Sequence, residues 1–372
     1  MRTVRRFLRR SLSAASVLLK RLESVRRFRR YRLTHDEIPL AQLQAMLSQY
    51  REYVDRLPPV LRYRQAYFEI NGSIAPGAGI PVARAWPEED KGISYEDKLL
   101  GKLELSNGKG AEIGPLNLPV TSKRKCNVLY VDHLDTDGLR KKYQTDPTVQ
   151  GIVEIDRPLV NGSLKETLIA DAPLDYIVAS QVFEHVPNLL QWLQEGAAVL
   201  RTGGLLAISL PDRRMTFDFL REETQAADIV AAYLESVTVP NVRCVYDHLS
   251  LGSVVNLHWM TPDSVFPEDI VSGRGAIKPK MMTDHYLPEV HRAKEGQYLD
   301  VHAWVFTPPS FLLVMAQLAG DGFLPFRLHQ FYPTNPRSPD RGDHSFTIVL
   351  EKVASEVPTA ELRRSYLGPL GE

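Results

Sequence analysis

Apolar residues recur at helical spacing from the start of the chain. Val4, Leu8, Leu12, Ala15, Leu19 and Leu22 lie three or four positions apart, and no Pro or Gly interrupts residues 2–32, so a helix is predicted there. A second helix is predicted over 40–56, with Leu40, Leu43, Leu47, Tyr50 and Val54 on one stripe and Pro58-Pro59 ending it. Residues 71–89 are rich in Gly and Pro and read as a linker or covering loop. Ser94-Tyr95-Glu96-Asp97 has the spacing of a capping box and opens a helix reaching to about residue 105.

From Ala111 the pattern changes to short apolar runs separated by helical stretches. Strands are predicted over 111–113, 127–131, 151–155, 176–179 and 205–210. A helix over 188–200, with Leu189, Leu190, Leu193, Ala197 and Leu200 on its buried side, separates the last two strands. Such alternation predicts an α/β fold: a mostly parallel sheet with helices on both faces. Ligands of such sheets bind beyond the carboxyl ends of the strands. Further on, Thr307 caps a helix with Pro308 and Pro309 in its first turn, running to residue 318 and stopped by Gly320 and Gly322. Residues 326–332 and 345–351 then read as an antiparallel pair appended to the sheet. Residues 219–300 break the rhythm and read as an inserted cap of helices and loops.

Charge alters this picture at one end. The 372 residues balance 45 Lys and Arg against 45 Asp and Glu, yet residues 1–32 carry a net +11 and the remainder −11. A protein binding nucleic acid along its body is usually basic overall, so that class is set aside. A basic amphipathic helix suits an anionic membrane surface or a protein partner, or a solvated tail, and it also has the composition of a transit peptide. No apolar run reaches the roughly 20 residues that span a bilayer. With only Cys126 and Cys244, a disulfide framework and a four-cysteine zinc site are both excluded. A cytoplasmic location, with peripheral contact at the inner membrane through residues 1–32, is the expectation.

Candidate chemistry follows the strands. The first exits into Glu112-Ile113-Gly114-Pro115, where glycine admits close backbone approach to a ligand and the acid can accept from a cationic amine. The second ends at Asp132, whose carboxylate can take both hydroxyls of a ribose. The third ends at Asp156, which can accept from an exocyclic adenine amine. The fourth runs into Ser180-Gln181-Val182-Phe183-Glu184-His185, and before the fifth comes Arg201-Thr202-Gly203-Gly204, read as a helix stop and tight turn. Taken in order, a glycine turn, two strand-end acids and a Glu-His pair carry more weight than any one of them.

On these residues the chain resembles class I S-adenosylmethionine-dependent methyltransferases. The stretches 112–119, 129–133, 174–188 and 199–211 look like the family's successive motifs, with "DYIVASQVFEHVPNLLQWLQEGAAVLRTGGLLAISLPD" the most specific. Closest are bacterial members whose first motif reads Glu-Ile-Gly-Pro, many of them associated with glycan biosynthesis. The resemblance implies a Rossmann-like, mostly parallel seven-stranded sheet, with S-adenosyl-L-methionine as cofactor. It divides the chain into a helical amino-terminal extension (1–100), a methyltransferase domain (101–352) with its cap at about 213–300, and a tail (353–372). Glu112 and Gly114, with Pro115 beside them, would face the methionine part; Asp132 would hold the ribose; Asp156 would sit by the adenine; Ser180 and Gln181 would line the pocket near the sulfonium. The first motif keeps one glycine where many members have three, and it lacks the open amides that a pyrophosphate needs, which disfavours a nicotinamide enzyme.

Methyl transfer to a hydroxyl needs a positioned acceptor and a base. His185 is the candidate base, the alternative being a packed or helix-capping histidine. Arg213 and Arg214 either grip an acidic acceptor or pair with Asp212 and Asp218. His248, His258, His285 and His291 fall in the insertion, followed by Asp300-Val301-His302. No pair of histidines stands at helical spacing on one face, so no metal is expected. The expected activity is methyl transfer to an oxygen, with nitrogen second, on a small-molecule or glycan acceptor. Its rival is a non-catalytic methyltransferase-like binding module.

Overall fold

The computed structural model describes residues 93–219, 221–255, 277–279, 286–334 and 344–370. The chain divides into two units, Met1–Phe68 and Glu69–Glu372, and every described residue belongs to the second. The helices predicted over 2–32 and 40–56, and the linker at 71–89, lie outside the described residues.

In chain order the strands are Lys109–Ile113 (β1), Asn127–Asp132 (β2), Arg157–Pro158 (β3), Leu174–Ser180 (β4), Leu200–Pro211 (β5), Ser253–Val255 (β6), Ile277–Pro279 (β7), Phe326–Tyr332 (β8) and Ser345–Lys352 (β9). Seven of them form one sheet in the order β3-β2-β1-β4-β5-β9-β8, while β6 and β7 make a separate antiparallel ribbon. The pairs from β3 to β5 are parallel; β9 runs against both β5 and β8. The sheet is thus mixed, with β9 alone reversed, and the appended antiparallel pair stands where the sequence suggests.

Alternation along each strand sends successive side chains to opposite faces. One face carries Ala111, Ile113, Val131, Ile177, Ala179, Leu206, Ile208 and Leu210, and forms the larger core. The helices Leu164–Leu168, Leu189–Val199, Ala226–Leu234, Pro308–Gly320 and Thr359–Leu367 bury apolar residues in it. Val128, Tyr130, Tyr176, Val178, Ala207 and Val349 point the other way and pack with Leu99. Gly110 sits under the Tyr176 ring, where a Cβ would stand 2.1 Å from the ring edge, so only glycine fits beside that tyrosine.

Leu99 belongs to the helix Tyr95–Leu100, which is capped by Ser94 accepting from the Asp97 amide at 3.0 Å. The reciprocal half of the box differs from expectation: the Ser94 hydroxyl donates to the Asp97 carboxylate, a shorter acid than the usual Glu, at 2.8 Å. The helix also ends at Leu100, short of residue 105. Packing therefore crosses the expected boundary at residue 100. It crosses the one at 353 as well, since Leu362 and the wholly buried Tyr366 of the last helix join the main core.

Two strand assignments shift. Residues 151–155 are irregular, and the third strand is the two-residue Arg157–Pro158, paired with Val131 and Asp132. Asp156 thus precedes its strand rather than ending it. Its carboxylate accepts from the Tyr130 amide at 2.7 Å, so a side chain replaces the ladder acceptor there. The fifth strand begins at Leu200, directly after the helix, with no intervening turn. Leu174 pairs with Leu200 and Tyr176 with Leu205, so residues 201–204 bulge out opposite Asp175, with Gly203 at φ +75°.

Among the described residues, the insertion holds the helices Ala226–Leu234, Val242–Leu251 and Tyr286–Lys294, besides the β6–β7 ribbon. Val245, Ala293 and Val301 form a small core of its own. From there the chain returns along the strand ends. Ala303 donates to the Glu184 carbonyl at 2.7 Å, the Trp304 indole donates to the Val186 carbonyl at 2.6 Å, and Phe306 bridges to Asp212. This strap lays residues 300–306 against the segment that follows the fourth strand.

Candidate active site

The carboxyl ends of β1, β2, β4 and β5 bring the sequence-predicted residues to one edge of the sheet. Gly114 leaves β1 at φ +68° and donates to the Val131 carbonyl of β2 at 2.8 Å. An added Cβ would meet Val182 at 2.6 Å, so glycine is required both by conformation and by the close approach of the segment after β4. Pro115 accepts from Leu118 at 3.0 Å and so closes the turn that follows.

Glu112 is bonded to the residues just after that turn. Its carboxylate accepts from the amides of Val120 and Thr121 at 2.7 and 2.8 Å, and from the Thr121 hydroxyl. It is 1% exposed, and burial holds its pKa above the usual carboxylate range despite those donors. The structure thus commits it to fixing the loop at 120–121.

Asp132 is buried at the end of β2, its Oδ1 accepting from the His133 amide at 2.7 Å and facing His133 Nδ1 at 2.6 Å. The other ring nitrogen of His133 lies 3.0 Å from Lys142 Nζ. An ammonium can only donate, so that nitrogen accepts and Nδ1 carries the proton given to Asp132. Asp156 pairs with Lys123 at 2.5 Å in addition to its bond with the Tyr130 amide.

Ser180 ends β4 and lies 2.6 Å from the hydroxyl of Tyr95, a residue the sequence did not single out. Gln181 follows at φ +56°, a conformation that costs a residue with a side chain about 1–3 kcal/mol. It is held there by its amide on the Ser209 carbonyl at 3.1 Å and by its side-chain amide on Ser345 Oγ at 2.9 Å. Backbone strain maintained at a strand end is typical of functional sites.

His185 is the last residue of a single turn, Phe183–His185, and sits among three acids. Its Nδ1 faces Asp300 Oδ1 at 3.0 Å, and its Nε2 lies 4.0 Å from Glu184 Oε1. Burial pushes the pKa of His185 down, but the bond to Asp300 and the charges of Glu184, Asp300 and Asp218 outweigh it and hold the pKa above its usual value. The same contact holds Asp300 well below the carboxylate range. The ring of His302 packs edge-on against that of His185, centroids 4.8 Å apart, and its Nδ1 meets Asp218 at 2.5 Å. Arg221 completes that arm with a 2.7 Å bond to Asp218. His248 accepts from the His302 amide at 3.2 Å, and burial, with the charge of Arg221, pushes its pKa down to about 4.

The two arginines after β5 take the structural side of their two readings. Arg214 forms a two-pronged pair with Asp212, at 2.9 and 2.6 Å. Arg213 donates to the carbonyls of Phe219 and Arg221 at 2.5 and 2.8 Å. Asp218, their other expected partner, pairs with Arg221 instead.

A seven-stranded sheet in this order, with one strand reversed, is the Rossmann-like fold of class I methyltransferases. Residues 103–208 match the family described as "Methyltransferase domain". The matched residues carry a methyltransferase domain, and S-adenosyl-L-methionine is the cofactor that such a domain takes. No curated protein gives a significant match. Among solved structures, the chain is similar to the CurJ carbon methyltransferase (13% identity, TM-score 0.31, covering 68% of this chain and 51% of that one). It is similar also to a SAM-dependent methyltransferase from Aquifex aeolicus (11%, TM-score 0.32, 70% and 91%) and to the CcbJ methyltransferase from Streptomyces caelestis (13%, TM-score 0.35, 77% and 98%). The chain spans about half the length of the first of these, 51%.

The residues present fit the cofactor. Asp132 offers a buried carboxylate at the strand end where a ribose is held in such sheets. Gly114 keeps the adjoining turn free of side-chain bulk.

Proposed function

We propose that the chain moves a methyl group from S-adenosyl-L-methionine to a hydroxyl oxygen of a sugar or glycan intermediate, nitrogen being the second choice of acceptor atom. The observation that carries the oxygen acceptor is the His185–Asp300 couple, 3.0 Å apart, placed five residues beyond the end of β4. A hydroxyl must lose its proton as the methyl arrives, whereas a neutral amine attacks without prior help. The glycan class is supported by the likeness of Glu112-Ile113-Gly114-Pro115 to bacterial glycan-associated members.

S-adenosyl-L-methionine supplies an electrophilic methyl on a sulfonium, and the protein positions and deprotonates the acceptor. Asp132 accepts from the ribose hydroxyls. Gly114 and Pro115 shape the turn beside the methionine part, while Glu112 holds that turn through Val120 and Thr121. Ser180 and Gln181 line the pocket, with the Tyr95 hydroxyl fixing Ser180. Asp156 stands toward the adenine side. Asp300 orients His185 and favours its charged form, so that His185 can draw the acceptor's proton toward Nε2. The insertion, with His302 on the strap, covers the acceptor side.

The test is transfer of a labelled methyl group to a panel of hydroxylated sugars and amines, with His185→Ala beside the wild type. Label on a sugar oxygen, and a loss of about 10²–10⁴-fold in kcat in the variant, is expected. Label on amines alone would overturn the oxygen assignment.

A further inference from the structure

Glu184, His185 and His302 bring a carboxylate and two imidazoles together, one ligand atom from each lying within 4.8 Å of the others. We propose that they form a site for a divalent transition-metal cation, of the Zn2+ or Mn2+ class, next to the methyl-transfer pocket. Its chemistry rests on the oxygen-acceptor reading above: the cation would bind the acceptor hydroxyl and lower its pKa.

Four observations carry the site. First, the Glu184 side chain is 1% exposed and its Oε2 has no hydrogen-bond partner. A buried carboxylate left so is costly, and only a proton or a cation relieves it. Second, His302 turns Nδ1 to Asp218 at 2.5 Å, which fixes its tautomer and leaves Nε2 as its ligand nitrogen, the carboxylate–histidine–metal arrangement of bound ions. His185 turns Nδ1 toward Asp300 at 3.0 Å, an ion-pair distance without hydrogen-bond geometry, and its Nε2 faces Glu184. Third, once both imidazoles are neutral, as metal ligation requires, the carboxylates of Glu184, Asp218 and Asp300 outnumber the cations of Arg221 and Lys142 that pair with the outer two by one charge, which a bound cation would offset. Fourth, the three ligands sit on pinned backbone, because Ala303 and Trp304 both donate to the Glu184 carbonyl, at 2.7 and 3.3 Å.

The donor set selects the ion. Two nitrogens and one carboxylate suit Zn2+ or Mn2+, whereas Mg2+ and Ca2+ prefer oxygen throughout. Bonds of about 2.0–2.2 Å require the three groups to draw in by about an ångström. Three protein ligands leave coordination positions open for the acceptor. There the cation withdraws density from the O–H bond, the proton leaves to water, and the oxygen lone pair is left to take the methyl. His185 then holds the ion instead of taking the proton itself.

The test is calorimetric titration of the metal-stripped full chain with ZnCl2 and MnCl2, with Co2+ d–d absorption reporting ligand type. One equivalent should bind, with bands indicating nitrogen ligation. Glu184→Gln, which keeps the side chain's shape, should weaken binding at least about tenfold, and Asp218→Asn about 10–100-fold through the ring it orients. S-adenosylhomocysteine binding, measured on the same samples, should be unchanged in Glu184→Gln. That readout also shows each variant to be folded. Absence of binding by the wild type at millimolar metal, or equal binding by wild type and Glu184→Gln, would overturn the site. Methyl transfer by stripped enzyme that still depends on His185 would leave the oxygen-acceptor reading standing and remove the cation. Transfer only to amines would remove that reading while the titration still decided the metal.

Discussion

At the scale of single residues, the site is a chain of contacts more than a set of isolated groups. Asp132 holds His133, His133 faces Lys142, Lys142 reaches Asp300 at 3.4 Å, and Asp300 holds His185. The strand-end residues were legible because each follows a short apolar run. Their partners were not, because Asp300 and His302 lie more than a hundred residues away and no periodicity links them to His185. The spacing test for histidine ligands assumed one helix, while the structure draws its pair from a turn after β4 and from the strap. The place of Asp156 relative to its strand differs from expectation for a related reason. A carboxylate that substitutes for a ladder acceptor looks, in sequence, like the end of a strand. His185 is active only when neutral, whether it takes a proton or holds an ion, so activity falls as pH drops through its pKa. Asp300 raises that pKa by stabilising the imidazolium. Asp300→Asn should therefore move the acid limb of the kcat/KM–pH profile to lower pH. A limb that stays in place would show that Asp300 does not act through His185.

At the scale of elements, helix and strand assignments fared best where pattern and cap agreed. Thr307 caps Pro308–Gly320 with a full box, its hydroxyl accepting from the Ser310 amide and Ser310 accepting from the Thr307 amide. Phe326–Tyr332 has the bounds that its alternation implies. Assignments failed where tertiary pairing overrode local signals. The Gly203-Gly204 pair reads as a turn, yet it forms a bulge within one long strand, because Leu200 is already hydrogen-bonded beside Leu174. The helix Tyr95–Leu100 is the instructive case, since its six residues are too few to stand alone. It exists because Leu99 is wholly buried against Val128, Tyr130 and Tyr176, and it delivers Tyr95 to Ser180. Leu99→Ala should cost about 2–5 kcal/mol of stability in denaturant unfolding. A loss near zero would mean that this helix is an appendage of the domain.

For the whole molecule, order along the chain becomes order in space. The two faces of the sheet divide the apolar residues into a large helix-covered core and a smaller one closed by the short first helix. The cap carries a small core of its own, while its helix Ala226–Leu234 and the strap residues Ala303, Trp304 and Phe306 beside His302 join the main core. None of the helices among the described residues is long and apolar enough to cross a membrane. The concentration of positive charge in residues 1–32 is plain in the sequence, and those residues lie outside the described ones. The central claim is that the strand-end acid of β2 holds the methyl donor of this enzyme. Calorimetric titration of the full chain with S-adenosyl-L-methionine and S-adenosylhomocysteine, beside Asp132→Ala, tests it most directly. Loss of charged hydrogen bonds worth about 1.5–3 kcal/mol should weaken binding by roughly 10–150-fold in the variant. Equal affinity in the two proteins, or no binding by folded wild type, would contradict it.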